Sequence, residues 1–156
     1  KKKKKLSERS YRMEDMSPII RPTDDKAFAE NIIIQNMSAY YNQLDMRWDT
    51  ALFAKQWDEL DSYALVINAS RVGLLCINHD EAAYYIRELQ IDQKWQRQGL
   101  GTTAIRYTEE IAQQSGIRLL RLRVFCINPA IALYERMGFR ICKTENNTHY
   151  MQRRLI

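Results

Sequence analysis

The sequence predicts an α/β (α+β) domain, built on a single mixed, mainly antiparallel sheet flanked by helices. Three observations carry this. Three strand-like runs separated by short turns lie between residues 63 and 91, the pattern of an antiparallel meander. Two helical patterns precede that meander. A helix, a strand and another helix follow it, which adds a parallel neighbour, and a final pair of short strands closes the sheet.

Taken in order, Pro18 to Pro22 reads as a short strand. Thr23-Asp24-Asp25 offers a helix N-cap with acids in the first turn, and Phe28, Ile32 and Ile33 share one face of a helix expected to reach about Met37. Asp45 to Leu60 reads as a second helix, with Trp48, Leu52, Phe53 and Trp57 as its apolar stripe. The meander strands are Tyr63 to Asn68, Val72 to Asn78 and Ala83 to Ile91. Regular alternation in the third puts Tyr84, Ile86, Glu88 and Gln90 on one face, with Tyr85, Arg87, Leu89 and Ile91 on the other. Thr102 to Ser115 is a helix closed by Gly116, and Leu119 to Phe125 is a strand. Pro129 to Met137 is a helix ended by Gly138, and Phe139 to Lys143 pairs with His149 to Arg153.

The formal net charge of +5 comes from 24 Lys+Arg against 19 Asp+Glu, and Lys1 to Lys5 account for the whole excess. From Met16 onward 17 basic residues face 16 acidic ones. Residues 1–15 read as a solvated basic tail, a native leader or an appended remnant, and residues 16–156 as one domain. A tail of like charges gives salt-sensitive attraction without specificity, so no specific nucleic-acid partner is expected. Cys76, Cys126 and Cys142 are far apart and form no CxxC, which reads as reduced thiol in a cytoplasmic protein. No apolar run approaches membrane-spanning length and no signal peptide follows the lysines, so no membrane partner is expected. His79 and His149 stand apart from other ligand-type residues, and no metal is expected.

Two segments carry chemistry. The first is Gln96-Arg97-Gln98-Gly99-Leu100-Gly101-Thr102, between a strand and a helix. A glycine-rich entry to a helix aims backbone N–H groups and partial positive charge at one point, which suits a phosphate or pyrophosphate. Arg97 adds a formal charge. The segment is not GxxxxGK[ST]. It does fit GxGxxA through Ala104, but the strand before it is the third of a meander rather than the first of a βαβ unit, which counts against a dinucleotide fold. A plain tight turn is the structural alternative. The second segment is Asn128-Pro129-Ala130-Ile131-Ala132-Leu133-Tyr134-Glu135-Arg136-Met137-Gly138-Phe139, which alone is a capped helix with a glycine stop.

Together the two segments resemble the GNAT superfamily of acyl-CoA-dependent N-acetyltransferases. The first resembles its [Q/R]-x-x-G-x-[G/A] loop through Gln96, Gly99 and Gly101, and the second its N…A-x-x-L-Y-E-x-x-G-F signature through Asn128, Ala130, Leu133, Tyr134, Glu135, Gly138 and Phe139. The resemblance covers residues 18–156 and implies the GNAT acyl-CoA N-acyltransferase fold. It implies a pyrophosphate cradle from Gln96 through Arg97, Gln98, Gly99, Leu100 and Gly101 to Thr102. It also implies a pantetheine-binding strand edge at Leu89, Gln90 and Ile91, and an arm contact at Asn128, although Asn128 stands six residues before Tyr134 where the common pattern has seven. Tyr134 matches the tyrosine that protonates the leaving thiolate. Glu88, the only acid within the strand before the loop, is the candidate general base, with a surface pairing to Arg87 as the structural alternative.

The implied function is acetyl-CoA-dependent transfer of an acetyl group by direct attack of a primary amine, of a small molecule or amino acid. The alternatives are a protein N-terminal or lysine acetyltransferase and a non-catalytic acyl-CoA-binding module. The implied partners are acetyl-CoA and an amine acceptor, and the implied assembly is a monomer or homodimer. The acceptor region is expected to draw on Tyr40, Tyr41, Trp48, Trp57, Tyr84 and Tyr85 near Asp45 and Asp49, with core packing as the alternative for the two tryptophans.

Overall fold

A computed structural model describes residues 17–156, so the tail assigned to residues 1–15 lies outside the described residues. In chain order the elements are β1 (Ile19–Pro22), α1 (Lys26–Gln43), α2 (Thr50–Trp57), β2 (Asp61–Ile67), β3 (Ser70–His79) and β4 (Tyr84–Ile91). A short 3-10 helix (Gln93–Trp95) is followed by α3 (Leu100–Gln114), β5 (Leu119–Phe125), α4 (Ile131–Arg136), β6 (Arg140–Glu145) and β7 (Thr148–Arg154). The strands form one sheet in the order β1-β2-β3-β4-β5-β7-β6. Every neighbouring pair is antiparallel except β4 and β5, which run parallel across the α3 crossover. This is the mixed, mainly antiparallel sheet expected from the sequence.

The helix limits differ from expectation most at two places, for local reasons. α1 continues past Met37 to Gln43, because Ser38 to Gln43 holds no glycine or proline to stop it. α2 starts at Thr50 rather than Asp45, because Asp45 takes a left-handed φ of 53°. Asp49 then supplies the N-cap, accepting from Leu52 N at 2.9 Å. Two hairpins use paired left-handed residues, Asn68-Ala69 between β2 and β3 and Asn146-Asn147 between β6 and β7. Such pairs match the twist of the strands they join.

Each face of the sheet has its own core. Leu65, Leu75, Ile77, Ile105, Leu120 and Met151 are fully buried between the sheet and the layer of α3 and α4. On the other face Ala29, Ile32, Ile33 and Phe53 of α1 and α2 pack on Leu74 and Cys76 of β3. Trp48 and Trp57 extend that second core, with ring centroids 5.2 Å and 5.6 Å from Phe53. The layer of α1 and α2 rests on β3 and β4, while every residue of β6 at the far edge is exposed. The seam between β4 and β5 therefore lies where one helix layer ends.

Candidate active site

The parallel ladder between β4 and β5 is short. It joins Tyr84 to Leu120, Tyr85 to Arg121 and Ile86 to Leu122, and then stops. Past that point β4 runs on to Ile91 and β5 to Phe125 without pairing to each other. The cause sits in β4. Cys76 pairs with Glu88 and Ile77 with Ile86, so Arg87 is an extra residue, and such a bulge bends its strand. The wedge between the diverging strands opens into a cavity of about 830 Å³.

The bulge also changes which residues share a face. Regular alternation puts Glu88 with Tyr84 and Ile86, and sets Arg87 with Leu89 and Ile91. Instead, Tyr84 and Ile86 lie in the core beneath α3, with Leu89 and Ile91 packed against the same core. Glu88 and Gln90 stand opposite Cys76 and Leu74, which belong to the core beneath α1. Arg87 stacks at 4.3 Å over Tyr85, and its Nε donates to Asn78 Oδ1 at 2.8 Å. Asn78 follows Ile77, which faces the α3 core, so Arg87 also belongs to the α1 side. Arg87 and Glu88 thus stand next to each other on one wall, and among the described residues they form no ion pair.

Glu88 is half-buried on the cavity wall and accepts from Gln90 Nε2 at 3.1 Å. Loss of solvent around the carboxyl raises its pKa to about 7, and the Gln90 donor opposes that rise. A carboxyl that titrates near neutrality can both accept and release a proton at working pH.

Tyr134 comes from α4 and is 7% exposed, with its ring edge-on to Phe139 at 5.9 Å. Among the described residues its hydroxyl has no hydrogen-bond partner, although Tyr134 lines the cavity. Burial and then the Glu88 charge raise its pKa above the ordinary tyrosine value, so the hydroxyl keeps its proton. Burial and the same carboxyl push Tyr41, on α1, up to about 12.

The glycine-rich segment enters the cavity from the α3 end. Gln96 Nε2 donates to Ile91 O at 3.0 Å, and Asn36 Nδ2 of α1 donates to the same carbonyl at 2.9 Å. The Ile91 carbonyl therefore faces the open edge of β4 rather than β3. Arg97 and Gly99 take left-handed φ values of 64° and 82°, which turns the chain sharply into α3. Beyond its two chain neighbours, no atom of the described residues lies within 4 Å of where a Gly99 side chain would begin, so the backbone is open to a ligand there. The first N–H closed within the helix is that of Thr103, which bonds Gly99 O at 3.1 Å. The N–H groups of Leu100, Gly101 and Thr102 are the free ones of a helix start, and they suit an anion.

The two glycines do different work. Gly101 lies inside α3, where an added Cβ would sit 2.7 Å from Leu133 Cδ2 of α4. It sets the approach of α4, and with it the place of Tyr134. Asn128 Oδ1 accepts from Ala130 N at 2.9 Å, which opens α4 and occupies the side-chain oxygen. Its Nδ2 has no partner among the described residues.

Glu88, Leu89, Gln90, Ile91, Gln96, Arg97, Gly99, Leu100, Gly101, Thr102, Asn128 and Tyr134 all line this one cavity, and Gln98 does not. Of the expected acceptor aromatics, Tyr40 and Tyr41 line it too. Trp48 and Trp57 pack on the α1 core instead, Tyr84 is buried in the α3 core, and Tyr85 donates to Asp80 Oδ2 at 2.7 Å. Sequence reading missed Asn36, Met37, Met46, Arg123, Phe125 and Tyr150 on the wall. The alternation of basic and apolar residues in Leu119 to Phe125 was the available signal for Arg123. Nothing local marks Asn36. Among the described residues no group of three or more His, Cys, Asp or Glu could hold a metal ion, and no helix is long and apolar enough to cross a membrane.

Comparison with solved structures identifies the fold class first. The chain is similar to the PaiA N-acetyltransferase of Thermoplasma acidophilum in complex with coenzyme A (TM-score 0.73, 14% identity, 89% of this chain and 99% of that one). It is similar to a GNAT family acetyltransferase from Elizabethkingia anophelis with acetyl-CoA bound (0.72, 16%, 89% and 99%). It is also similar to the ribosomal-protein-S18-alanine N-acetyltransferase of Escherichia coli (0.65, 20%, 88% and 94%). At these identities the likeness is one of fold. No curated protein sequence matches the chain significantly. The model of the acetyltransferase (GNAT) family matches residues 30–139, more than half of the chain, and the chain belongs to that family.

Proposed function

We propose that this chain is an acetyl-CoA-dependent N-acetyltransferase that acts by direct attack of a primary amine, of a small molecule or amino acid. The observation that carries the reading is the position of Glu88. It is a carboxyl titrating at about 7, set in the wedge where β4 leaves β5 and in one cavity with the open N-terminus of α3. The residues present fit the cosubstrate. Free N–H groups at Leu100, Gly101 and Thr102, with the Arg97 side chain, suit a pyrophosphate, and the open edge at Leu89 suits an amide-bearing arm, the Ile91 carbonyl being taken by Asn36 and Gln96.

Acetyl-CoA supplies an activated acetyl thioester. The chain contributes proton handling and orientation. Ionised Glu88 takes a proton from the acceptor ammonium at its carboxylate, directly or through a water, so the amine can attack. Tyr134 Oη holds a proton at neutral pH and gives it to the departing sulfur, and the second proton, shed by the nitrogen as the amide forms, restores the phenol. Asn36 and Gln96 hold the Ile91 carbonyl, which keeps the open edge of β4 in place. The aromatic and thioether wall of Tyr40, Tyr41, Phe125, Met37 and Met46 favours a small acceptor over a protein surface. The domain is read as residues 16–156, and the free thiols of Cys76, Cys126 and Cys142 suit the reducing cytoplasm.

The test has two parts. Acetyl-CoA at a hundred times its dissociation constant should stabilise the fold by about 2.7 kcal/mol. A CoA-release screen against amines, amino acids, polyamines, aminoglycosides and peptides should then give turnover on a small amine. Absence of any thermal shift would remove the reading.

A further inference from the structure

Two guanidinium groups on the acceptor wall of the cavity take part in no ion pair among the described residues. Arg87 stands at the bulge where β4 and β5 part, and Arg123 lies on β5, one residue past the last paired position, Leu122. Both line the cavity. The ion pairs among the described residues are Arg71 with Asp25, Lys143 with Glu145 and Arg153 with Glu109, so neither Arg87 nor Arg123 takes part in one. Arg87 spends only its Nε, on Asn78, and Arg123 lies 5.9 Å over the ring of Tyr150. Of the two acids that line the cavity, Glu145 is held by Lys143 at 2.6 Å, and Glu88 titrates near neutrality. Burial, and then the charge of Arg123, lower the pKa of Arg87 from its ordinary value, and the smaller effects of Tyr85 and Asp80 oppose them. The two cations therefore sense each other across the wedge, an arrangement that an anion between them would relieve.

That anion is not the cosubstrate's pyrophosphate. Arg87 and Ile91 are four residues apart on β4, about 13 Å of extended chain. The glycine-rich segment with Arg97 lies beyond Ile91. Arg87 instead directly precedes Glu88 on β4, and Phe125, whose ring meets that of Tyr41 edge-on at 5.8 Å, lies two residues beyond Arg123 on the same face of β5.

We propose that the acceptor is an amino acid, whose carboxylate is held by Arg87 and Arg123 while its amine faces Glu88. This rests on the acetyltransferase reading and narrows it. Guanidinium is a planar fork that binds carboxylate through two parallel N–H bonds. The same cationic wall leaves an amine without an acid group unmatched and repels polyamines.

The experiment measures kcat/KM for the standard amino acids against their amides, and for phenylalanine against 2-phenylethylamine. At least one acid should exceed its amide tenfold or more. Arg123→Ala should reduce that ratio at least tenfold, mainly through KM, with Arg123→Lys restoring part of it. Arg123 is exposed, so the variant should fold. Amides acetylated as well as acids, or a ratio that Arg123→Ala leaves alone, would overturn the inference while acetyl transfer itself stands. If no amine is turned over, calorimetry on the CoA-saturated chain decides, since tighter binding of acids than amides upholds the inference and equal or no binding overturns it. A chain that acetyl-CoA does not stabilise fails the acetyltransferase reading instead, and the same calorimetry without CoA then judges the arginine pair on binding alone.

Discussion

Gln90 donates from Nε2 to Glu88 Oε1 at 3.1 Å, and its own Oε1 accepts from Asn36 Nδ2 at 3.1 Å. Three side chains thus link α1 to the candidate base. The Gln90 bond favours the charged form of Glu88 against the larger effect of lost solvent. Gln90→Met removes the donor and keeps the bulk. The pKa of Glu88 should then rise above its present value of about 7, and the ascending limb of kcat/KM against pH should move up with it. A limb that stays in place would show that Glu88 is not the titrating base.

Replacing the acid itself separates chemistry from stability. Glu88→Gln should lower kcat/KM by about 10²-fold or more at pH 8 and flatten the limb near neutrality. Its effect on stability has the opposite sign. The folded chain keeps the proton on Glu88 up to about pH 7, whereas an unfolded glutamate loses it near about 4.3. Stability conferred by the neutral carboxyl is therefore fully present below that lower value and is lost as pH rises through about 7. The glutamine variant should gain up to about 3 kcal/mol relative to the parent between pH 4 and pH 8. Urea melts at the two pH values check this, and a gain that does not grow with pH would mean the carboxyl is better solvated than its place suggests.

Tyr134→Phe should fold like the parent, since the ring keeps its contact with Phe139 and the hydroxyl has no partner among the described residues. The expected loss is in kcat, on the order of 10²-fold, with the dissociation constant for acetyl-CoA little changed. Single-turnover measurements across pH check it. An unaltered rate would assign the proton donor to water and leave Tyr134 a packing role.

The fold was legible because its signals are local. Asp25 caps α1, Gly116 and Gly138 follow the ends of α3 and α4, and the three meander strands alternate between turn residues. The candidate site was legible where it rests on a short segment, as at Gln96 to Thr102 and around Tyr134. Two parts were not. The family resemblance implies that the strand before the loop splays at a bulge, but the bulge's place at Arg87 follows from how β4 registers on β3, which no alternation within β4 reveals, and it is what sets Arg87 on the same side as Glu88. Asn36 reaches the cavity because α1 crosses the end of β4, a tertiary fact that a helical pattern read from residues 26–37 cannot carry.

The glycines at 99 and 101 offer a test of how the two ends of the site divide their work. Gly99→Ala meets no protein atom, so its cost is purely the left-handed backbone, about 1–2 kcal/mol, and its consequence is a displaced loop in front of α3. The dissociation constant for acetyl-CoA should rise by about tenfold, while kcat at saturation should hold. Gly101→Ala should do the reverse. The helix gains up to about 1 kcal/mol from the better helix former, which offsets the contact with Leu133, so thermal stability should change little. Leu133 must move, however, and Tyr134 is the next residue on α4. The loss should therefore fall on kcat. Calorimetric affinity and saturated turnover, measured on both variants, would show the crossed pattern. If both variants lose affinity alone, Gly101 belongs to the anion cradle and not to the positioning of Tyr134.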